Sequence, residues 1–101
     1  MNSPPDDLLR DKINLETSRI NWLELQTFFA RGQVVRVSTT LDLVTVALKL
    51  SEDDKSTFDL WMKNGDVGEV DDKTAKHWFE NKKDLWAVVV RPWILVQDSD
   101  S

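Results

Sequence analysis

The sequence predicts an α+β fold, with four helices and a small, mainly antiparallel sheet in a single domain spanning residues 1–101. Three observations lead to this fold class. A long apolar run near the end of the chain is rich in β-branched and aromatic residues, which favour strands. Helix-start residues recur ahead of apolar residues at helical spacing, and short β-branched runs lie between them. A chain of 101 residues is long enough to bury one core without disulfides.

The apolar run extends from Leu85 to Gln97, and both of its alternating sides are apolar. A strand with no polar side is covered on both faces, so we expect this run at the centre of the sheet. Pro92 has no amide donor, which predicts a break or bulge near Arg91 and Pro92, or an edge position for the second half. The run is too short to cross a bilayer as a helix.

Two helices are predicted before the first strand. Ser3 is a candidate N-cap for a helix that opens with two prolines and stops near Thr17. Asn21 is the candidate N-cap of the second helix, and Glu24 three residues later completes a capping box. Gly32 supplies the left-handed residue that ends this helix.

Two further helices are predicted in the second half of the chain. Ser51, with Asp54 three residues on, is the candidate cap of the third, which ends at Gly65. Asp71 or Asp72 is the candidate cap of the fourth. The apolar faces carry Phe58, Trp61 and Met62 on the third helix, and Ala75, Trp78 and Phe79 on the fourth.

Residues 33–38 and 67–70 read as strands, whereas residues 42–50 fit two patterns. Val44, Val46, Leu48 and Leu50 alternate as in a strand, while Leu43, Val46, Ala47 and Leu50 also share one helical face. The β-branched segment at 44–46 favours a strand that pairs with residues 33–38 as a hairpin. The helical alternative stays open from the sequence alone.

Charge and composition disfavour several classes of partner. The net charge is −5, and only Lys82 and Lys83 among the basic residues are adjacent, so we expect no nucleic-acid or membrane partner. The absence of cysteine excludes disulfides and thiolate sites. No secretion signal or long apolar segment is recognisable, and a cytoplasmic location is expected. The polar ends, residues 1–5 and 98–101, are expected to be mobile.

No motif indicates catalysis, a cofactor or a metal. His77 is the only histidine and falls off the apolar face of its helix, so an exposed position is expected. The acidic pairs at 53–54 and 71–72 suit a hard cation, but acids in a first turn are also what helix capping predicts. There is no Gly-x-Ser-x-Gly turn and no glycine-rich phosphate loop.

The aromatic composition is unusual, with five tryptophans and no tyrosine. The periodicity predicts that four of them face the core, namely Trp22, Trp61, Trp78 and Trp86. Trp93, beside Pro92, is the exception. Together with Ile94 it is the candidate anchor of a protein interface, because large aromatic side chains dominate binding energy.

Several segments of the chain form a recognisable set. They are Leu41-Asp42-Leu43-Val44, the acidic run at 51–54 with Trp61 and Gly65 after it, Trp78, Leu85-Trp86-Ala87-Val88-Val89-Val90, and Pro92-Trp93-Ile94-Leu95-Val96-Gln97. Together they resemble a bacterial protein family known as domain of unknown function 2288. The resemblance runs from the first helix to Gln97, and its most specific part is the Pro-Trp-x-Leu-Val-Gln ending. It implies a small, stand-alone bacterial protein and supplies no catalytic residues.

These observations predict a non-catalytic protein-interaction module that self-associates. We expect the apolar strand surface to be larger than four helices can cover, and a two-fold pairing would bury the remainder. We therefore expect a homodimer anchored by Trp93 and Ile94, or an unidentified protein partner. The alternative is a small enzyme or metal-binding protein that uses the acidic helix starts.

Overall fold

The computed structural model describes residues 12–13 and 16–98. In this part of the chain the elements, five strands and four helices, follow in this order: β1 Ser18–Asn21, α1 Trp22–Ala30, β2 Val34–Val37, α2 Leu43–Ser51, α3 Lys55–Lys63, β3 Val67–Glu69, α4 Asp72–Glu80, β4 Asp84–Val90 and β5 Trp93–Asp98. The predicted α+β class with four helices is confirmed. Three of these helices, α1, α3 and α4, correspond to predicted helices, whereas α2 lies in a segment that the prediction assigns to a strand.

The five strands form one mixed sheet in the order β1-β4-β5-β2-β3. Three of the four pairings are antiparallel and only β2 with β5 is parallel, so the mainly antiparallel prediction is confirmed. The apolar run forms the antiparallel pair β4–β5, in which Val90 lies opposite Trp93. Arg91 and Pro92 make the turn between them, which confirms the predicted break.

Helices α1 and α4 cover one face of the sheet. Their core contains Trp22 and Trp78, whose rings lie 5.2 Å apart in an edge-on arrangement. Beneath them the sheet contributes Val34, Leu85, Ala87, Ile94 and Val96, all buried.

Helices α2 and α3 cover the opposite face. Val88, Leu95, Val37 and Val67 of the sheet form a second core with Leu43, Val46, Ala47 and Leu48 of α2. Phe58 and Trp61 of α3 pack against this core and are partly buried. The central strands are therefore apolar on both sides because each side has its own core, as the sequence predicts.

The predicted strand over residues 42–50 is wrong, because this segment is helix α2. Leu43, Val46 and Ala47 share one helical face and are buried together on the sheet. Their burial outweighs the preference of the β-branched residues for a strand. Thr45 is one of these β-branched residues, and at the start of the helix its hydroxyl donates a hydrogen bond to Asp42 Oδ2 at 2.7 Å. The predicted hairpin is consequently absent, and β2 pairs with β3 and β5 instead.

Strand β1 is a feature that the sequence does not reveal. Its four residues pair with β4, and Ile20 lies opposite Leu85. The predicted first helix falls mainly on residues outside the described ranges, although Lys12, Ile13 and Glu16 are helical. Ile13 is buried in the core beneath α2.

The ends expected to be mobile also lie mostly outside the described ranges. Residues 1–5 and 99–101 belong to that part of the chain, whereas Asp98 is the last residue of β5.

The predicted caps Asn21 and Asp71 are confirmed, and the cap of α3 is corrected from Ser51 to Asp54. Asn21, Asp54 and Asp71 each accept a hydrogen bond from a backbone amide in the following first turn. Ser51 is not a cap, because it is the last residue of α2. The capping box is also wrong: within the described residues Glu24 makes no hydrogen bond to Asn21, whose Oδ1 accepts from Leu23 N at 3.1 Å.

Asn21 has a second role that makes its substitution informative. Its Nδ2 donates to Lys82 O at 2.8 Å and to Asp84 Oδ1 at 3.0 Å, which ties α1 to the start of β4. We expect Asn21→Ala to lower the free energy of unfolding by about 1–3 kcal/mol, since it removes a cap and two further hydrogen bonds. Glu24→Ala should have almost no effect. Urea denaturation of both variants and of the double variant tests this, and strong coupling between the two sites would show that the capping box forms after all.

Candidate functional site

The two predicted interface residues are neighbours in β5 but point to opposite faces of the sheet. Ile94 is only 6% exposed and belongs to the core beneath α1 and α4. Trp93 lies on the side of α2 and α3 and is 39% exposed. Trp93 therefore has indole surface available to a partner, whereas Ile94 contributes to the interior of the single chain.

Trp93 lines a groove of about 610 Å³ between α3 and the sheet edge formed by β2 and β3. We call it the Trp93 groove. Its apolar lining comes from Val34, Val35, Leu50, Phe58, Met62 and Val67 together with Trp93. The groove is concave, open and mostly apolar, which are the usual properties of a docking site for an apolar group.

The rim of the Trp93 groove is acidic. Four carboxylate residues line it, Asp53, Asp54, Asp59 and Glu69, against one cation, Lys55. Three of them come from the turn between α2 and α3 or from α3 itself, and Glu69 ends β3. An arrangement of this kind attracts a cationic group and repels an anionic one.

Helix α3 leaves the groove open because it packs loosely. None of its residues is fully buried, and Phe58 and Trp61 reach the core only partly, with ring centroids 6.4 Å apart. Met62, predicted to face inward, is 53% exposed beside the groove. A long, flexible thioether in this position suits a surface that adapts to its ligand.

The other tryptophans follow the prediction with one exception. Trp22 and Trp78 are buried, and Trp61 is partly buried. The prediction that Trp86 lies in the core is wrong, because 40% of its surface is exposed. Its indole lies under the guanidinium of Arg19 on β1, at 5.6 Å from the ring centroid, so a cation–π contact replaces burial in the core.

The acidic helix starts act as caps in the structure. Asp54 accepts from Thr57 N at 3.2 Å and from Thr57 Oγ1 at 2.9 Å. These bonds lower the pKa of the Asp54 carboxyl, the backbone bond most, with a smaller contribution from the charge of Lys49. Hydrogen bonds from Thr74 also lower the pKa of the Asp71 carboxyl, the side-chain bond most and then the backbone bond, with smaller contributions from the charges of Arg36 and Lys73.

The remaining candidates are not brought together into a reactive site. His77 is exposed on α4, as predicted, and its Nδ1 lies 3.2 Å from Asn81 Nδ2. Among the described residues no group of three or more His, Asp and Glu side chains is placed to hold a metal ion. In the same ranges no helix is long and apolar enough to cross a membrane.

The sequence could identify Trp93 but not the groove around it. The lining residues come from five separated segments, and one of them is the end of α2, which the sequence assigns to a strand. The available signal was the outer face of α3, where Lys55, Asp59 and Met62 recur at helical spacing.

The capping carboxylates predict a pH dependence of stability. A pKa below the ordinary value of 3.8 means that each carboxylate stabilises the fold above that pH, and that this contribution is lost as the pH falls through the lowered pKa. Asp71→Asn keeps a capping oxygen but cannot titrate. We therefore expect its melting temperature to fall less than that of the wild type between pH 6 and pH 2.5.

The variant Thr57→Val provides a matched comparison for Asp54, because it removes the hydroxyl bond and retains the backbone bond. We expect its melting temperature to fall somewhat less than that of the wild type as the pH is lowered. Identical acid slopes for the wild type, Asp71→Asn and Thr57→Val in thermal melts would contradict the capping account.

A second prediction concerns metal ions. Since the oxygens of Asp54 and Asp71 already accept hydrogen bonds, we expect millimolar Mg²⁺ or Ca²⁺ to leave the melting temperature unchanged. A ligand that binds only the folded state stabilises it by RT ln(1 + [L]/Kd). A rise of several degrees that disappears in Asp54→Asn or Asp71→Asn would show a metal site instead.

Comparison with known proteins places the chain in a family. The profile of a family described as "Protein of unknown function (DUF2288)" matches residues 8–98. The fold is similar to the NMR solution structure of PA1075 from Pseudomonas aeruginosa, with a TM-score of 0.82 and 39% sequence identity, over 100% of this chain and 94% of that one. No curated protein matches the sequence. The chain belongs to the DUF2288 family, as the Pro-Trp-x-Leu-Val-Gln ending and the other shared segments predict.

Proposed function

We propose that this chain is a small, non-catalytic protein-interaction module, and that the Trp93 groove is its docking surface. The proposed ligand is a protein segment that carries both apolar anchors and positive charge. The observation that carries the proposal is the combination, in one groove, of an exposed tryptophan with an acidic rim.

Trp93 and Met62 supply the exposed apolar surface of the groove. Both retain large exposed areas beside a concavity, although the central strand and the helix that bear them also contribute to a core. Covering an exposed indole in a pocket is a typical source of binding energy. A groove of about 610 Å³ has room for a few side chains of one segment.

The charge of the rim selects the class of partner. Four carboxylates and one ammonium give the groove a local excess of three negative charges. Such a surface accelerates encounter with a basic segment and disfavours an acidic one. A partner segment with Lys or Arg beside its apolar anchors fits both properties.

Self-association is the alternative, in which a second copy of the chain binds the same surface. The dimer expected from the sequence would pair Trp93 with its symmetry mate. A two-fold pairing across the groove would also bring the carboxylates Asp59 and Glu69 of one copy towards those of the other, which opposes it. For this reason we favour a separate cationic partner over a second copy.

The proposed setting is the bacterial cytoplasm. The similar structure comes from a bacterium, and small extracellular domains commonly depend on the disulfides that this chain cannot form. No observation favours the enzymatic alternative, since the acidic helix starts are occupied as caps.

The proposal is tested with two synthetic amphipathic peptides that share the same leucines and tryptophan but carry either lysines or glutamates. We expect the lysine peptide to shift the NMR amide signals of Gly68 and Glu69, and the glutamate peptide to have no effect. Trp93→Ala should weaken binding by about tenfold or more, because it removes the apolar anchor. Asp59→Lys should weaken it several-fold, with a reduced dependence on salt.

Two variants serve as matched controls. Trp86→Ala removes a tryptophan of nearly equal exposure, 40%, outside the groove. Glu80→Lys makes the same charge change as Asp59→Lys at an exposed residue of α4. Equal losses in the control and groove variants would contradict the proposed site. A dimer in light scattering that dissociates in Trp93→Ala would replace the cationic partner by a second copy.

A further inference from the structure

A second cavity lies on the opposite face of the sheet from the Trp93 groove, between the end of β2 and helix α4. We call it the Arg36 cleft. Its volume is about 490 Å³, and its polar lining includes Arg36, Ser38, Lys73, Thr74, His77 and Asp98. The interaction module proposed above does not involve these residues.

Basic side chains from two elements converge on the cleft. Arg36 lies between Val35 and Val37, whose side chains face α2 and α3, so its own side chain points towards α4. Lys73 and His77 are one helical turn apart on α4 and therefore share a face. The guanidinium of Arg36 donates one bond, from Nη2 to Gly65 O at 3.3 Å, and retains further N–H donors for another acceptor.

The carboxylates around the cleft are already engaged. Asp98 Oδ1 lies 3.2 Å from Lys83 Nζ, and Asp98 Oδ2 accepts from Trp78 Nε1 at 3.3 Å. Asp71 lies close enough to Arg36 and Lys73 for their charges to lower its pKa, but its Oδ1 is used at 2.7 Å to cap Thr74 N. The cleft therefore combines available cationic donors with acids whose oxygens have other partners.

We propose that the Arg36 cleft binds an oxyanion, a phosphate or carboxylate group of a small molecule. Arg36 and Lys73 supply the charge, since a guanidinium beside an ammonium recognises such groups by charge-assisted hydrogen bonds. The side chains of Ser38 and Thr74 line the same space, but the Thr74 hydroxyl is bonded to Asp71 and the Ser38 hydroxyl lies 2.9 Å from that of Thr40, so the two cations carry the recognition. This site is independent of the Trp93 groove, and it is locally cationic on a chain whose net charge is −5.

The test is an NMR titration with inorganic phosphate and, separately, with citrate, at constant ionic strength. We expect saturable shifts of the amide signals of Ser38 and Thr74 and of the Trp78 indole. The tighter of the two ligands identifies the preferred group. Arg36→Gln and Lys73→Ala should each weaken binding by about tenfold, because each removes a charge-assisted bond.

Two further variants separate a specific site from general charge attraction. Lys76→Ala removes the same charge from an exposed position of α4 that does not line the cleft, and should leave binding unchanged. Asp71→Asn keeps the cap but removes the competing negative charge, and should tighten binding.

Circular dichroism checks the fold of every variant, and Lys73→Ala with Asp71→Asn carries the test if Arg36→Gln does not fold. The proposal is overturned if neither ligand gives a saturable shift. It is also overturned if Lys76→Ala weakens binding as much as Lys73→Ala, or if Asp71→Asn weakens it.

Discussion

The constraint on which the structure depends is the two-sided burial of the β4–β5 pair. Leu85, Ala87, Ile94 and Val96 face one core, while Val88 and Leu95 face the other. A strand pair of this kind is stable only when both faces of the sheet are covered, and the four helices α1–α4 of the described residues are divided equally between the two faces. Each layer is thin as a result, and apolar surface is left where the helices end, as at Trp93.

The division into two cores also separates the charged surfaces. Strand β2 contributes Val35 to the Trp93 groove on one face and Arg36 to the cleft on the other, because successive side chains of a strand alternate between faces. The acidic rim and the cationic cleft thus lie on opposite faces of the same sheet. The net charge of −5 describes neither surface, and the expectation from composition concerns nucleic acids and membranes rather than a small oxyanion.

Elements marked by a local chemical requirement could be predicted from the sequence. Pro92 identifies the turn of the central pair, Asp54 and Asp71 mark helix starts, and Gly32 and Gly65 have the positive φ values, 72° and 79°, that end helices. Elements decided by tertiary contacts could not be predicted. Helix α2 is stabilised by burial of Leu43 and Ala47 against strands distant in sequence, which its β-branched residues do not indicate. Trp86 has the pattern of a core residue, and only the position of Arg19 on the unpredicted strand β1 explains its exposure.

The strand order has a consequence for the synthesis of the protein. Among the described strands β1 pairs only with β4, and β2 pairs with β5, so residues 84–98 join the two ends of this sheet. During translation the earlier strands emerge before these partners exist, and only the β2–β3 pair can form in their absence. Contacts over such long separations make folding slow. A nascent chain that still lacks residues 84–98 therefore lacks the central strands against which both helix layers pack, and part of its apolar helix surface has no strand to cover it.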